Sequence, residues 1–186
     1  MQHRFQVLSG PETEPGAFPK RLSKVLWLAG NMKKNSYQSP VFGSLAVSID
    51  RKYGPAKFSL EGIVPVVAGF RDVRVHITGK LDVPIDHTVA AAERVHGEYV
   101  KREPEIRRQG LNALLECEWM YKEDRKITAA TLFPEFREIP VINYFVSSGE
   151  ISIYYHFCGD VGGFSGHEMN IVMGFNLKIE NVGLDG

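Results

Sequence analysis

The sequence predicts an α+β fold: an antiparallel β-sheet packed against a helix pair, with an extended N-terminal arm over residues 1–19 and a single globular domain over residues 20–186. Three observations lead there. Apolar and polar residues alternate over residues 73–78, 150–158 and 168–180, the period of a strand that buries one face. Apolar residues at helical spacing gather in one block, residues 86–120, instead of alternating with the strands as a parallel α/β sheet requires. The chain has 186 residues, enough for one sizeable core and too few for two.

The arm comes first. Residues 9–19 hold Pro11, Pro15 and Pro19 with Gly10 and Gly16, the composition of an extended linker. From Phe18 to Lys34 the chain carries Lys20, Arg21, Lys24, Lys33 and Lys34 and no acid, while Phe18, Leu22, Val25, Leu26 and Ala29 recur at helical spacing. Pro19 suits a first helical position and Gly30 a stop, so this stretch reads as a short basic amphipathic helix. Strands are expected at residues 44–49, 57–67 and 73–78, with Pro65 pushing the second toward an edge or a bulge.

Asp86 then suits the N-cap of a helix carrying Val89, Ala92, Val95, His96 and Tyr99, and Pro104 ends it. A second helix is expected from Pro104 to about Met120. It buries Ile106, Leu111, Leu114, Leu115 and Trp119 and exposes Glu105, Arg107, Arg108 and Glu118, with Gly110 weakening its middle. The mixed charges of residues 101–108 read as a solvated helix junction. Four strands follow, at residues 126–133, 141–146, 150–158 and 168–180, the last keeping Met169, Ile171, Met173, Phe175, Leu177 and Ile179 on one side without interruption. Ser147, Ser148 and Gly149 form a turn, and residues 159–166 a glycine-rich hairpin loop.

Composition narrows the function classes. Lysine and arginine number 22, as do aspartate and glutamate, so no global field draws the chain to nucleic acid and any anion-binding surface is local. Cys117 and Cys158 allow at most one bridge, which excludes a disulfide framework and points to a reducing compartment. The first residues lack the apolar core of a signal peptide, and no apolar run approaches the ~20 residues that span a membrane, so neither secretion nor insertion is expected.

Chemistry is sparse. His3, His76, His87, His96, His156 and His167 make no zinc spacing, and no metal or cofactor is expected. The loop at 159–166 lacks the lysine and following helix of a phosphate cradle. Glu103 and Glu105 read as surface carboxylates, not an acid/base pair. An enzyme built on His76, His156 and nearby carboxylates is the least favoured reading.

The basic stretch is the informative feature, and its pattern fits two readings: a helix or strand that packs its apolar side on the sheet, or a membrane-binding segment. Lys20, Arg21, Lys24, Lys33 and Lys34, with Trp27 at headgroup level, suit an anionic membrane surface, each cation adding about 1 kcal/mol. The same lysines are suited to weak, nonspecific contact with RNA phosphates. In the arm, Phe5, Val7, Leu8 and Phe18 offer apolar anchors to a groove on a neighbouring copy.

Leu132-Phe133-Pro134-Glu135-Phe136-Arg137-Glu138-Ile139-Pro140-Val141-Ile142-Asn143, followed by Gly149-Glu150-Ile151-Ser152-Ile153 and Asp160, resembles the matrix proteins of rhabdoviruses. A strand before the helices, the run Val89-Ala90-Ala91-Ala92 and a closing strand with Met173-Gly174-Phe175 extend the resemblance in element order over about residues 57–180. Only 132–153 is close residue by residue. The resemblance implies an antiparallel sheet on two helices and a structural, non-enzymatic role. It implies self-association, attachment to the inner face of the viral membrane, and condensation of the nucleocapsid during assembly and budding. It places the chain in the virion beneath the envelope and in the host cytoplasm or nucleus and membranes. The family's lysine-rich tail and Pro-Pro-x-Tyr motif are missing, which suggests a distant branch. The alternative is a soluble α+β domain binding a small ligand or lipid between sheet and helices, lined by Tyr144, Phe145, Tyr154, Tyr155 and Phe157.

Overall fold

Alternation of buried and exposed side chains marks eight strands among the described residues, and the structure gathers them into one sheet. The computed structural model describes residues 36–50, 56–116, 127–159, 164 and 166–185. Eight strands lie side by side in sequence order: β1 (Ser36–Ser39), β2 (Gly43–Asp50), β3 (Lys57–Val67), β4 (Phe70–Lys80), β5 (Phe136–Phe145), β6 (Glu150–Phe157), β7 (Glu168–Gly174) and β8 (Ile179–Asp185). All neighbours are antiparallel except β4 and β5, which run parallel from Arg74 opposite Val141 to Thr78 opposite Phe145. A parallel pair needs a long crossover. Here it contains α1 (Ile85–Glu116), α2 (Ala129–Leu132) and a 3-10 turn, Phe133–Glu135.

One face of the sheet carries Leu60, Val75, Ile77, Tyr144, Ile153 and Ile171, all fully buried. α1 crosses this face diagonally. Its first turn lies over β3 and β4, where Thr88 meets Gly79 and Phe58, and its last turns lie over β7, where Gly110 sits against Ile171. A Cβ at Gly110 would overlap Ile171 Cδ1, so the residue that weakens the helix is also the one that lets it approach the sheet. β1 is tied to the helix from outside the core, Ser39 Oγ donating to Glu93 Oε1 at 2.7 Å.

The helix pair expected from Pro104 is one continuous helix. Its buried residues keep a single phase through the proline: Val95, Tyr99, Glu103, Ile106, Gly110 and Leu114. Pro104 lies on the exposed side, where water can satisfy the carbonyl its ring leaves without a partner. Burial on both halves outweighs the ~3 kcal/mol helix penalty of an interior proline. Asp86 is not the cap either, because the first amides, His87 N at 3.1 Å and Thr88 N at 3.2 Å, donate to the Pro84 carbonyl. Asp86 instead places its carboxylate in the positive first turn.

Two strand expectations also change. Around residues 126–133 the apolar alternation gives way to α2, because Thr128 and Thr131 form a reciprocal cap: Thr131 N donates to Thr128 Oγ1 at 3.3 Å, and Thr128 N to Thr131 Oγ1 at 2.9 Å. The uninterrupted stripe of 168–180 conceals a hairpin. Gly174 N donates to the Lys178 carbonyl at 3.2 Å, and Leu177 takes φ 60° between them. A left-handed leucine costs about 1–2 kcal/mol, which its burial at 5% exposure offsets.

Pro65 fits as expected. β2 pairs with β3 only over Lys57 to Glu61, so Pro65 falls on a stretch whose outer edge has no ladder among the described residues. Gly79 is a close-approach position: a Cβ would stand 2.5 Å from Phe58 Cζ and 2.8 Å from Thr88 Cγ2, and Phe58 is itself buried. Gly79→Ala is therefore expected to lower the unfolding free energy by about 1–3 kcal/mol in urea titration. An unchanged midpoint would show that α1 does not seat on Phe58.

Candidate functional site

The densest chemistry lies between α1 and the sheet. Tyr99 and Glu103, one turn apart on α1, face Tyr155 of β6, and the two tyrosine hydroxyls are 2.9 Å apart. Glu103 is 1% exposed, and Arg107, the next turn on, brings Nε to 3.1 Å from its Oε1. The approach is close but poorly directed, leaving neither carboxylate oxygen in a well-formed hydrogen bond. Arg107 is held by aromatic faces, its Cζ lying 3.8 Å from the Phe133 centroid and 5.1 Å from that of Phe70. Burial raises the Glu103 pKa above the usual carboxylate range, while Arg107 and the Tyr155 hydroxyl pull it back. Burial likewise holds both tyrosine hydroxyls protonated. The group is a charged latch joining α1 to β4, β6 and the turn before β5. At 1% exposure Glu103 presents no surface to a solute.

A second buried polar contact lies two turns nearer the start of the helix than Glu103. His96 Nδ1 and the Tyr144 hydroxyl of β5 are 2.6 Å apart, with Phe42 packed edge-on against the imidazole at 5.0 Å between centroids. Burial lowers the His96 pKa to about 4, so the ring is neutral at physiological pH.

The opposite face of the sheet is mixed, a polar row lying between exposed Ile63 and Phe145. Register aligns Glu61, His76, Asn143 and Ser152 across β3 to β6, and Ser152 Oγ donates to Asn170 Oδ1 at 2.9 Å. Glu61 Oε1 lies 3.3 Å from His76 Nε2 and 3.7 Å from Arg74 Nε, close approaches without a hydrogen bond at His76 Nε2. His156 pairs with Glu168 at 3.7 Å, in the row that also holds Glu138. His156 is four residues along β6 from Ser152, roughly 13 Å at strand rise, so the two histidines of the enzyme reading do not converge. Among the described residues no group of three or more His, Cys, Asp or Glu is placed to hold a metal, and no helix is long and apolar enough to cross a membrane.

The aromatic set of the ligand-binding alternative is divided by the sheet. Tyr144, Tyr155 and Phe157 are packed in the core, Phe157 lying 4.1 Å from Phe136 and 4.9 Å from Phe164 between centroids. Phe145, opposite Glu150, is exposed on the other side, and Tyr154 lies on that side four residues further along β6, opposite Val141. The arm anchors Phe5, Val7, Leu8 and Phe18 lie outside the described residues, as do Lys20, Arg21, Lys24, Trp27, Lys33 and Lys34.

The latch corrects two sequence expectations. Glu103 is not a surface carboxylate, and Arg107 is not exposed, its side chain being 11% accessible. The readable signal was phase: Glu103 follows Tyr99 and precedes Arg107 by one turn each, inside the apolar stripe. Placing a helix boundary at Pro104 hid that phase. No family model, curated protein or solved structure matches the chain.

Proposed function

We propose that the chain is a viral matrix protein, similar to those of rhabdoviruses. It self-associates, attaches to the inner face of the viral membrane through its basic segment, and condenses the nucleocapsid during assembly and budding. The observation that carries the reading is the run from Leu132 to Asn143 with Gly149 to Ile153, together with its setting. Phe133 to Glu135 form a 3-10 turn, Phe136 to Phe145 form β5, Gly149 turns the chain at φ 70°, and Glu150 opens β6. The strand before the helix and the small residues near its start stand in the order the resemblance implies, whereas Met173-Gly174 end β7, Phe175 lies in the turn after it, and β8 is the closing strand. The neutral overall charge suits local attachment: residues 20–34 carry Lys20, Arg21, Lys24, Lys33 and Lys34 with no acid, and acids outnumber bases in the rest of the sequence.

Flotation with anionic liposomes over a salt series tests this. The parent chain is expected to float at low salt and to release as salt screens the contact. Changing Lys20, Arg21 and Lys24 together to Glu is expected to weaken flotation at least a hundredfold, since removal of three cations alone costs about 3 kcal/mol. Flotation retained at full strength would refute the assignment of the basic segment.

A further inference from the structure

β8 is the last strand of the sheet, and among the described residues no strand pairs with its outer edge. Edge strands that stay solitary are guarded by proline, lysine, bulges or brevity. β8 is guarded only at its start. The ladder to β7 slips between Val172 opposite Asn181 and Met173 opposite Ile179, leaving exposed Glu180 as the bulged residue. From Asn181 to Asp185 there is no bulge, proline or lysine. Val182 and Leu184, opposite Ile171 and Met169 on the core side, remain only partly buried. The other edge, β1, is four residues long.

We infer that this unguarded half of β8 pairs with the same segment of a second copy. The two strands run antiparallel about a two-fold axis through Gly183, extending the sheet across both chains. The register follows from the faces. Alternation puts Val182 and Leu184 on the core face and Asn181, Gly183 and Asp185 on the polar one, and an axis normal to the sheet keeps like face with like. With Gly183 opposite Gly183 of the second copy, Val182 meets Leu184 and Asn181 meets Asp185, each pair occurring twice. Apolar side chains then face apolar ones, each carboxylate faces an amide that can donate to it, and no like charges oppose each other. Centring on Val182 sets Leu184 against the bulged Glu180, and centring on Leu184 shortens the ladder. Shifts that centre between residues set core-face side chains against polar-face ones. A two-fold contact closes on itself, so it supplies one of the two contacts an array needs. It deepens the self-association of the proposed function and rests on that reading only for its purpose.

The test is a symmetric crosslink in the full chain, with Cys117 and Cys158 changed to Ser and Gly183 to Cys. A Cβ at Gly183 meets open space, and directly opposed Cβ atoms lie within disulfide reach. Mild oxidation is expected to give covalent dimer roughly tenfold faster for Gly183→Cys than for Asn181→Cys, whose opposite residue is Asp185. Asn181→Lys, facing Asp185 of the second copy, is expected to tighten the dimer several-fold in light scattering. Equal crosslinking at both positions, or none at 183, overturns the contact. Its absence in a chain that still assembles and binds liposomes leaves the matrix reading standing. A crosslink in a chain that binds no liposomes upholds the β8 contact and counts against that reading.

Discussion

Arg107→Ala is expected to unfold about 3–5 kcal/mol more easily than the parent near neutral pH, and to recover much of that loss on acidification. Removing the guanidinium leaves the Glu103 carboxylate buried at 1% exposure without its cation, the costly half of a broken buried pair. The direction with pH follows from linkage. A carboxyl whose folded pKa lies above its unfolded value favours the native state fully below the unfolded value, and that advantage is lost as pH rises through the folded one. Burial already raises the Glu103 pKa, and Arg107 opposes the rise. Its removal therefore widens the window upward from the ordinary carboxylate range. Urea titrations at about pH 5 and pH 8 measure this. A loss independent of pH would mean that Glu103 does not stand alone in the variant. Arg107→Lys is expected to fall between, keeping a charge but losing the planar stack on Phe133.

His96 gives the second large effect, with the opposite sign. Its folded pKa is about 4 against an ordinary 6.5, so the stability it contributes is complete above 6.5 and is lost as pH falls toward 4. Over that interval the loss amounts to about 3 kcal/mol, the cost of charging an imidazole packed between Phe42 and Tyr144. His96→Leu is expected to flatten this acid limb. It also costs about 1–3 kcal/mol at neutral pH, because the Tyr144 hydroxyl loses its partner. Pairing it with Tyr144→Phe removes the orphaned hydroxyl and is expected to restore part of that stability while keeping the limb flat. An acid limb that survives in His96→Leu would place the titrating group elsewhere.

These two contacts mark where the sequence was legible and where it was not. Strands with one buried face were readable, because a period of two identifies them without knowledge of their partners; β3 falls at the expected residues and β6 within one. The buried side of α1 was readable for the same reason, Val89, Ala92, Val95, His96 and Tyr99 all lying against the sheet. What failed was punctuation. Pro104 looks like a stop because proline weakens an isolated helix, yet a stripe buried on both sides of it decides the outcome. The turn between β7 and β8 places a buried leucine, not glycine, at its left-handed position, so the alternation ran through it unmarked. The latch was hidden by the same misplaced boundary: a glutamate and an arginine one turn apart look like surface charge until the helix is continuous and the pair falls in the buried phase.

Under the proposed function, copies of this chain join one another and adhere to anionic lipid. Light scattering across protein concentration and salt, repeated with anionic liposomes, tests both halves in one series. The expected result is a mass that grows beyond 20.9 kDa with concentration, and lipid association that salt reverses. A single monomeric mass at every concentration, with no lipid association at low salt, would contradict it.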